Sequence, residues 1–448
     1  MKRIATLIAA ALTLFACGND PSYKGGVPKD GTDPEEGQEA ITEEVKVPEE
    51  YADYTRVALK SSITKVQPMT GIVMWAPYKS DDISLEYSYM QYNDVCKEKD
   101  KYDWTVLDKL LEGIASRGHQ AVIRFHYTYV GKKCTVPDYI KAWPGYEETV
   151  GKSEGRTTYF PDWRCEELKR FHLEFYKKLA ERYDKDPRLA FLETGFGLWA
   201  EYHIYDGPFK MGQTFPDKDF QAEFMRGMSE WFKETTWSIS IDSADNTYGP
   251  FQKYPDLLDL RFGNFDDSFM CQDHDGYNYR SWLFFGETRY KRAPLGGEFS
   301  YYTDDDQKYC LNKGGMHGRV FEDEVAKFHM TFIIGNDQPG KQTEARITES
   351  AMSMGYRFKI EDYYVKDGGG EAKVLISNVG VAPIYRSAFV SVNGVRGGYD
   401  LRGLMPGQKC WVSVKGSGID ASSPVKIECD HLVKGQKGIE FEADISKN

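Results

Sequence analysis

Several things are missing from this sequence, and each narrows what the chain can be. No Cys-x-x-Cys pair occurs among its eight cysteines, so a zinc site is not expected. Basic charge is in deficit: 57 Lys and Arg stand against 69 Asp and Glu, a net charge of -12. That argues against a nucleic-acid partner, because phosphate binding needs a basic face. Beyond the first fifteen residues, no run is long and apolar enough for a transmembrane helix. No glycine-rich dinucleotide fingerprint follows the first candidate strand, which weakens a doubly wound sheet as the fold. There is no internal repeat.

Aromatic residues, by contrast, are plentiful at 14%: 30 Tyr, 25 Phe and 9 Trp. Much of this can be core, but exposed rings also line sugar-binding clefts. The 448 residues allow two or three domains.

Met1-Lys2-Arg3 is followed by an apolar run from Ile4 to Phe15, broken only by Thr6 and Thr13. The run is too short to span a bilayer and reads as an export signal, residues 1–16. It ends in Leu14-Phe15-Ala16-Cys17, which resembles the bacterial lipobox. That resemblance implies lipidation of Cys17 and a membrane-anchored lipoprotein of the bacterial cell envelope, with the outer membrane as the expected site. An ordinary signal peptide cut after Ala16 is the alternative. Residues 17–54 are rich in Gly, Pro, Asp and Glu and cannot bury enough surface to offset their ordering entropy. They read as an acidic tether. Apart from Cys17 seven cysteines remain, and Cys410 and Cys429 are near enough in sequence to pair.

Over 55–352, short apolar runs alternate with helical spacings. The strand candidates are 71–76, 84–92, 120–126, 189–198, 237–241, 258–264, 294–299 and 330–335. Eight strands alternating with helices predict a (β/α)8 TIM barrel. Over 353–448 the texture changes to β alternation with Gly and Asn at turns, which predicts a small C-terminal β-sandwich.

A barrel gathers its functional residues at the C-terminal strand ends. Those ends offer Trp75, Arg124, His126, Glu201, His203, Asp242, Asn264, Asp266, Asp267 and Glu298. Two glutamates stand out, Glu201 after the fourth strand and Glu298 at the seventh. This arrangement resembles the clan A glycoside hydrolases, which carry an acid/base Glu after strand four and a nucleophilic Glu at strand seven. The segments YDWTVLDKLL…RGHQAVIRF, YFPDW, ERYDKDPRLAFLETGFGLWAEYH and LGGEF also resemble a group of bacterial secreted proteins. These join a glycosidase-like barrel to a C-terminal sandwich domain of unknown function.

The resemblance implies hydrolysis of a poly- or oligosaccharide with retention of configuration, Glu201 as general acid/base and Glu298 as nucleophile. Retention needs the two carboxyls roughly 5–5.5 Å apart. Trp199, Tyr202 and Tyr205 supply an aromatic wall that would raise the acid's pKa by desolvation. The expected cleft is walled by Trp75, His126, Trp163, His203 and Asn264, with Arg124 as a further substrate contact. No cofactor or metal is implied. A non-catalytic carbohydrate-binding surface lipoprotein is the alternative function.

One position departs from the clan pattern. Ala200 stands where Asn usually precedes the acid/base Glu and binds the sugar 2-hydroxyl. Either another residue takes that contact, with His203 or Asn264 as candidates, or the chemistry differs, or the barrel only binds. Plainer readings accompany several residues. Arg124 and His126 serve equally well as structural partners of carboxylates. Glu193, inside the fourth strand, is either a buried partner of Arg124 or a rival acid. Trp75 and Trp163 taken singly are more often core than platform, and Trp163, in the insertion bearing Pro and Asp, is the better platform candidate of the two. Thr303–Gln307 reads as a solvated loop without the EF-hand pattern.

Overall fold

A computed structural model describes residues 51–446. The signal peptide, Cys17 and most of the tether lie outside the described residues. Eight parallel strands close into a barrel: β1 (Gly71–Trp75), β2 (Leu85–Gln91), β3 (Gln120–His126), β4 (Leu189–Thr194), β5 (Thr236–Ser240), β6 (Gly263–Phe269), β7 (Leu295–Phe299) and β8 (Phe332–Ile334). They pair in sequence order, and β8 returns to β1 to complete the circle. Every residue of β3 and of β4 is buried, as parallel strands covered on both faces must be.

Inside the barrel Phe191 of β4 stacks on Phe332 of β8, ring centroids 5.3 Å apart. Gly296 of β7 makes room for that ring, since a Cβ there would stand 2.3 Å from Phe332. Outside the barrel, helix α1 (Thr105–Ala115) buries Leu107, Leu111 and Ile114 on one face. Helix α2 (Glu166–Tyr183) buries Leu168, Phe171, Phe175 and Leu179, the i, i+3, i+4 spacing of an amphipathic helix. Helix α3 (Lys218–Trp231) starts at Asp217, whose carboxylate accepts from the N–H groups of Asp219 and Phe220. Helices α4 (Tyr279–Phe285), α5 (Phe321–Lys327) and α6 (Glu344–Met352) add to the shell, with short helices at Tyr92–Val95, Asp138–Lys141 and Asp304–Tyr309. The last replaces the expected solvated loop at Thr303–Gln307, because Thr303 caps it and Asp306 and Gln307 are buried.

The sixth strand lies further along than its sequence suggests. Pro255–Asp259 forms a 3-10 turn, and β6 runs over Gly263–Phe269 instead of 258–264. The shift places Asn264, Asp266 and Asp267 within the strand, on alternating faces, and not together beyond its end.

The C-terminal region is a sandwich of two sheets. One contains β9 (Phe358–Lys366), β10 (Glu371–Asn378), β13 (Lys409–Lys415) and β15 (Phe441–Ile445). The other contains β11 (Ala388–Val392), β12 (Val395–Arg396) and β14 (Val425–Cys429). Two short strands that precede the barrel also join the first sheet: Tyr54–Arg56 pairs with β9, and Leu59–Ser61 with β15. Tyr51 packs edge-on against Trp411 at 5.1 Å. The expected tether boundary at 54 and barrel start at 55 are corrected accordingly, because aromatic burial and strand pairing hold 51–61 on the sandwich.

Sandwich and barrel meet at the starts of the barrel strands. Arg386 donates to the Leu189 carbonyl at 3.0 Å and to Thr235 Oγ1 at 2.8 Å. Gln120 Nε2 donates to the His431 carbonyl at 2.7 Å. The sandwich therefore caps the end opposite the C-terminal strand ends and does not line the barrel mouth. Cys410 and Cys429 are both free thiols. Among the described residues, no helix is long and apolar enough to cross a membrane.

Candidate active site

The loop after β4 folds back on itself. The N–H groups of Phe196 and Gly197 both donate to the Glu201 carbonyl, at 3.1 and 2.8 Å, and that of Leu198 donates to the His203 carbonyl at 3.0 Å. Glycine is required for this closeness. A Cβ on Gly195 would stand 2.2 Å from the Ala200 oxygen, and one on Gly197 1.8 Å from the His203 oxygen. The turn itself is made by Trp199 and Ala200, both at φ 58°. Two successive non-glycine residues in the left-handed region cost about 1–2 kcal/mol each. That strain is held in place by the loop's hydrogen bonds, and it aims Glu201 back over the barrel.

Beneath Glu201 lies Arg124 of β3, fully buried. Its Nε and Nη2 donate to Glu193 Oε2 at 2.9 and 2.5 Å. Its Nη1 donates to Asp267 Oδ2 at 2.7 Å, to Tyr89 Oη at 3.3 Å and to the Trp199 carbonyl at 3.3 Å. The guanidinium lies over the Phe265 ring at 4.1 Å. These contacts occupy its donors, so Arg124 is a pedestal for carboxylates and for the Trp199 turn, which corrects its assignment as a substrate contact.

Three carboxylates face this pedestal, Glu193 and Asp267 by ion pairs and Glu298 by charge, while Glu201 and Asp242 gather at His203. Burial, followed by the charge of Asp267, pushes Glu201 up to about 7, with His203 opposing the rise. Burial also lifts Glu193 to about 7, against the pull of Arg124. Glu298 on β7 is driven well above the usual carboxylate range, first by burial and then by Asp267, with Glu201 adding to it. Glu201, on the loop after β4, and Glu298, on β7, thus come from elements three β/α units apart, and the Glu201 charge reaches Glu298.

His203 stands between two acids. Its Nδ1 is 3.0 Å from Asp242 Oδ1. Its Nε2 is 2.9 Å from Glu201 Oε2, at ion-pair distance though outside hydrogen-bond alignment. Burial works against the imidazolium, but Asp242 and Glu201 outweigh it and hold the ring well above its ordinary pKa. Glu201, His203 and Asp242 bring one potential ligand atom each within 4.8 Å of one another. The two carboxylates lie against opposite nitrogens of one ring, so an ion on either nitrogen would meet only one of them. The trio is built as two ion pairs.

Aromatic rings form one wall. Trp75, half-buried at the end of β1, lies 5.2 Å from Tyr89. Tyr89 lies 5.4 Å from His126 and 5.9 Å from Tyr129, and Tyr129 lies 4.3 Å from Trp199. His126 is pushed down to about 4 by burial and by Arg124, so it faces this wall as a neutral ring. Its buried Nδ1 has no protein hydrogen-bond partner.

Two expected cleft residues are elsewhere. Trp163 is 0% exposed and lies in the outer core. It sits 5.3 Å from Phe196 and 5.4 Å from Phe220, because the segment carrying it docks on α2 and α3 instead of opening to the mouth. Asn264 is buried behind β6, where its Nδ2 donates to the Ile239 carbonyl at 3.3 Å. Strand alternation sends Asn264 and Asp266 outward and Asp267 inward. Asp266 accepts from Asn278 Nδ2 at 2.9 Å, in the layer between β6 and α4.

Besides Trp143, the exposed Phe, Trp and Tyr rings among the described residues are four tyrosines: Tyr205 (50%), Tyr277 (37%), Tyr301 (52%) and Tyr302 (76%). Glu201 adds to the raised pKa of Tyr205, Asp242 to that of Tyr277 and Glu298 to that of Tyr301, which places these rings about the acidic site. The one sequence signal for Tyr301 and Tyr302 was their position directly after the seventh strand.

No family model and no curated protein matches the chain. Solved structures do resemble its fold. The catalytic domain of β-amylase from Paenibacillus polymyxa is 11% identical, with a TM-score of 0.41, covering 65% of this chain and 99% of that one. A glycoside hydrolase family 30 subfamily 8 xylanase from Clostridium acetobutylicum is 11% identical, with a TM-score of 0.37, covering 81% of this chain and 100% of that one. A GH5_18 structure from Bifidobacterium longum subsp. longum is 8% identical, with a TM-score of 0.37, covering 57% of this chain and 61% of that one. Likeness at this level carries nothing about activity; the barrel stands on its own strand pairing.

Proposed function

We propose that the protein hydrolyses glycosidic bonds of a poly- or oligosaccharide, with Glu201 as general acid/base and Glu298 as nucleophile. The observation that supports this reading is that both carboxyls are raised in pKa, first by burial and then by the charge of Asp267, and that the Glu201 charge adds to the rise of Glu298. Protonated Glu201 would deliver its proton to the departing glycosidic oxygen while the Glu298 carboxylate bonds to the anomeric carbon. Glu201, now ionised, would then take a proton from water as that water displaces Glu298. Configuration is retained over the two displacements. The two groups titrate together, and catalysis needs the proton on Glu201 and the charge on Glu298.

The test is hydrolysis across a polysaccharide panel, with product stereochemistry read by proton NMR on the first product released. Glu201→Gln and Glu298→Gln should each remove activity; full activity in either variant overturns the assignment. One observation favours a binding-only barrel. Glu298 is held well above the ordinary range by burial and by Asp267, and a protonated carboxyl does not attack. On that reading the wild type and both Gln variants bind the same glycan with equal affinity, and none cleaves it.

We also infer attachment to the bacterial cell envelope through a lipidated Cys17. Cys17→Ala should move the protein from the detergent-extracted membrane fraction to the soluble one. An unchanged membrane fraction would remove the anchor.

A further inference from the structure

We infer that His203 and Asp242 are positioning residues for Glu201: one imidazolium, clamped between the two carboxylates, fixes the direction of the Glu201 carboxyl and governs its ionisation. The inference rests on reading Glu201 as the acid/base group.

The geometry has three parts. Glu201 and His203 share the folded-back loop after β4, two residues apart, so both directions are set by the same strained turn at Trp199 and Ala200. Asp242 comes from a different element, the turn after β5, and lies 3.0 Å from the far nitrogen of the ring. Asp242 is itself fixed. Ser240 Oγ donates to its carboxylate, and the backbone N–H of Asp242 donates back to Ser240 Oγ at 3.2 Å. Burial opposes the charge on Asp242, but His203, Ser240 and Tyr277 prevail and keep it below the ordinary range. A carboxylate anchored in this way pins one side of the imidazole, and the imidazole then pins Glu201.

The groups around the relay are few. His203 meets Glu201 and Asp242 by charge, with the Tyr205 and Tyr248 rings at 5.0 and 6.2 Å. Glu201 also faces Asp267, which pairs with Arg124, and acts on Glu298, Tyr89 and Tyr205. Of these, His203 is the group that favours the Glu201 anion, while Asp267 and Asp242 oppose it. Ionised Glu201 therefore depends on His203 keeping its proton, and His203 depends on Asp242.

Nitrogen-15 NMR of the full chain labelled at its eight histidines tests this without a substrate. Disappearance of one resonance in His203→Gln identifies the signal. In the wild type that ring should stay charged well past the ordinary midpoint of about 6.5. Asp242→Asn should lower its midpoint by about one pH unit or more, the effect expected from losing an opposite charge within ion-pair reach. Glu201→Gln should lower it from the other side of the ring, which keeps the test available if Asp242→Asn does not fold. An ordinary midpoint in the wild type, or one that neither variant moves, overturns the relay. Where a glycan is cleaved, His203→Gln should shift the kcat/KM profile toward alkaline pH. A uniform loss of rate with an unmoved profile would mean that the ring is only structural. Because the titration needs no substrate, failure of the glycosidase reading would leave the midpoints readable.

Discussion

The α-carbon of Gly197 sits beneath the carbonyl of His203, so close that a Cβ would stand 1.8 Å from that oxygen. The neighbour is backbone and already accepts the Leu198 N–H, so it cannot give way as a side chain could. Gly197→Ala should therefore spread the loop, at a cost of about 3 kcal/mol, the upper range for overpacking. Glu201 and His203 would move with it. The check is a urea melt beside an activity assay: a variant with wild-type stability and rate would show that the loop is not closed this tightly.

Two aromatic substitutions should separate core from cleft. Trp163→Ala removes a ring packed on Phe196, Tyr127 and Phe220, and should cost about 3–5 kcal/mol of stability. Tyr302→Ala removes a ring that is 76% exposed and should leave the melting temperature within a degree or two. Its expected effect is on glycan affinity, weakened about 5- to 10-fold through loss of a stacking surface. Calorimetric melting and glycan titration of both variants check the contrast, and a reversal of the two phenotypes would restore Trp163 to the cleft.

That contrast also marks what the sequence could and could not convey. The eight barrel strands were legible because parallel strands buried on both faces leave apolar runs that local pattern detects. β6 was the weak one. Asp266 and Asp267 interrupt its apolar pattern, and only their distant partners, Asn278 and Arg124, make them compatible with burial. Glu298 lies on β7 as its apolar run suggests, but β4 ends at Thr194 instead of 198, so Glu201 sits on a folded-back loop whose course depends on backbone contacts between residues 195–198 and 200–203. Trp163 was not, because whether an inserted segment opens to the mouth or docks on helices depends on contacts far along the chain. The pairing of residues 54–61 with the last sheet is equally non-local. Asp242 was visible as a strand-end acid, but its role emerges only when the turn after β5 is set against His203.

Arg124→Met should be destabilising in a pH-dependent way. It leaves Glu193 and Asp267 buried without their shared cation, a change that costs about 3–5 kcal/mol. The penalty should be largest near pH 8. It should shrink near pH 5, where Glu193, already lifted to about 7 by burial, holds a proton and needs no cation. Arg124→Lys should rescue little, since one ammonium cannot reproduce the forked contacts to both carboxylates, Tyr89 and the Trp199 carbonyl. Urea unfolding of both variants at the two pH values is the measurement. A penalty independent of pH would mean that Glu193 is not the group bearing the cost.

Glu201→Gln should make the protein more stable, by an amount that grows as pH rises from about 4.5 to about 7 and is full above neutral pH. Burial lifts the Glu201 carboxyl from an ordinary 4.5 to about 7 in the folded chain. A folded-state pKa above the unfolded one means that the protonated form stabilises the fold. That contribution is complete below about pH 4.5 and is lost as pH rises through about 7. Glutamine resembles the protonated acid at every pH, so it keeps what the wild type loses. The wild type and the variant should therefore match near pH 4 and diverge to about 2 kcal/mol near pH 8. The divergence is trimmed because His203 loses one of the two carboxylates that hold its charge. Activity and stability would then change in opposite directions, as expected where a buried acid is kept for chemistry at the expense of the fold. Parallel pH-stability curves for the two proteins would show that Glu201 ionises as readily in the barrel as in the unfolded chain, and the case for it as a tuned acid would fall.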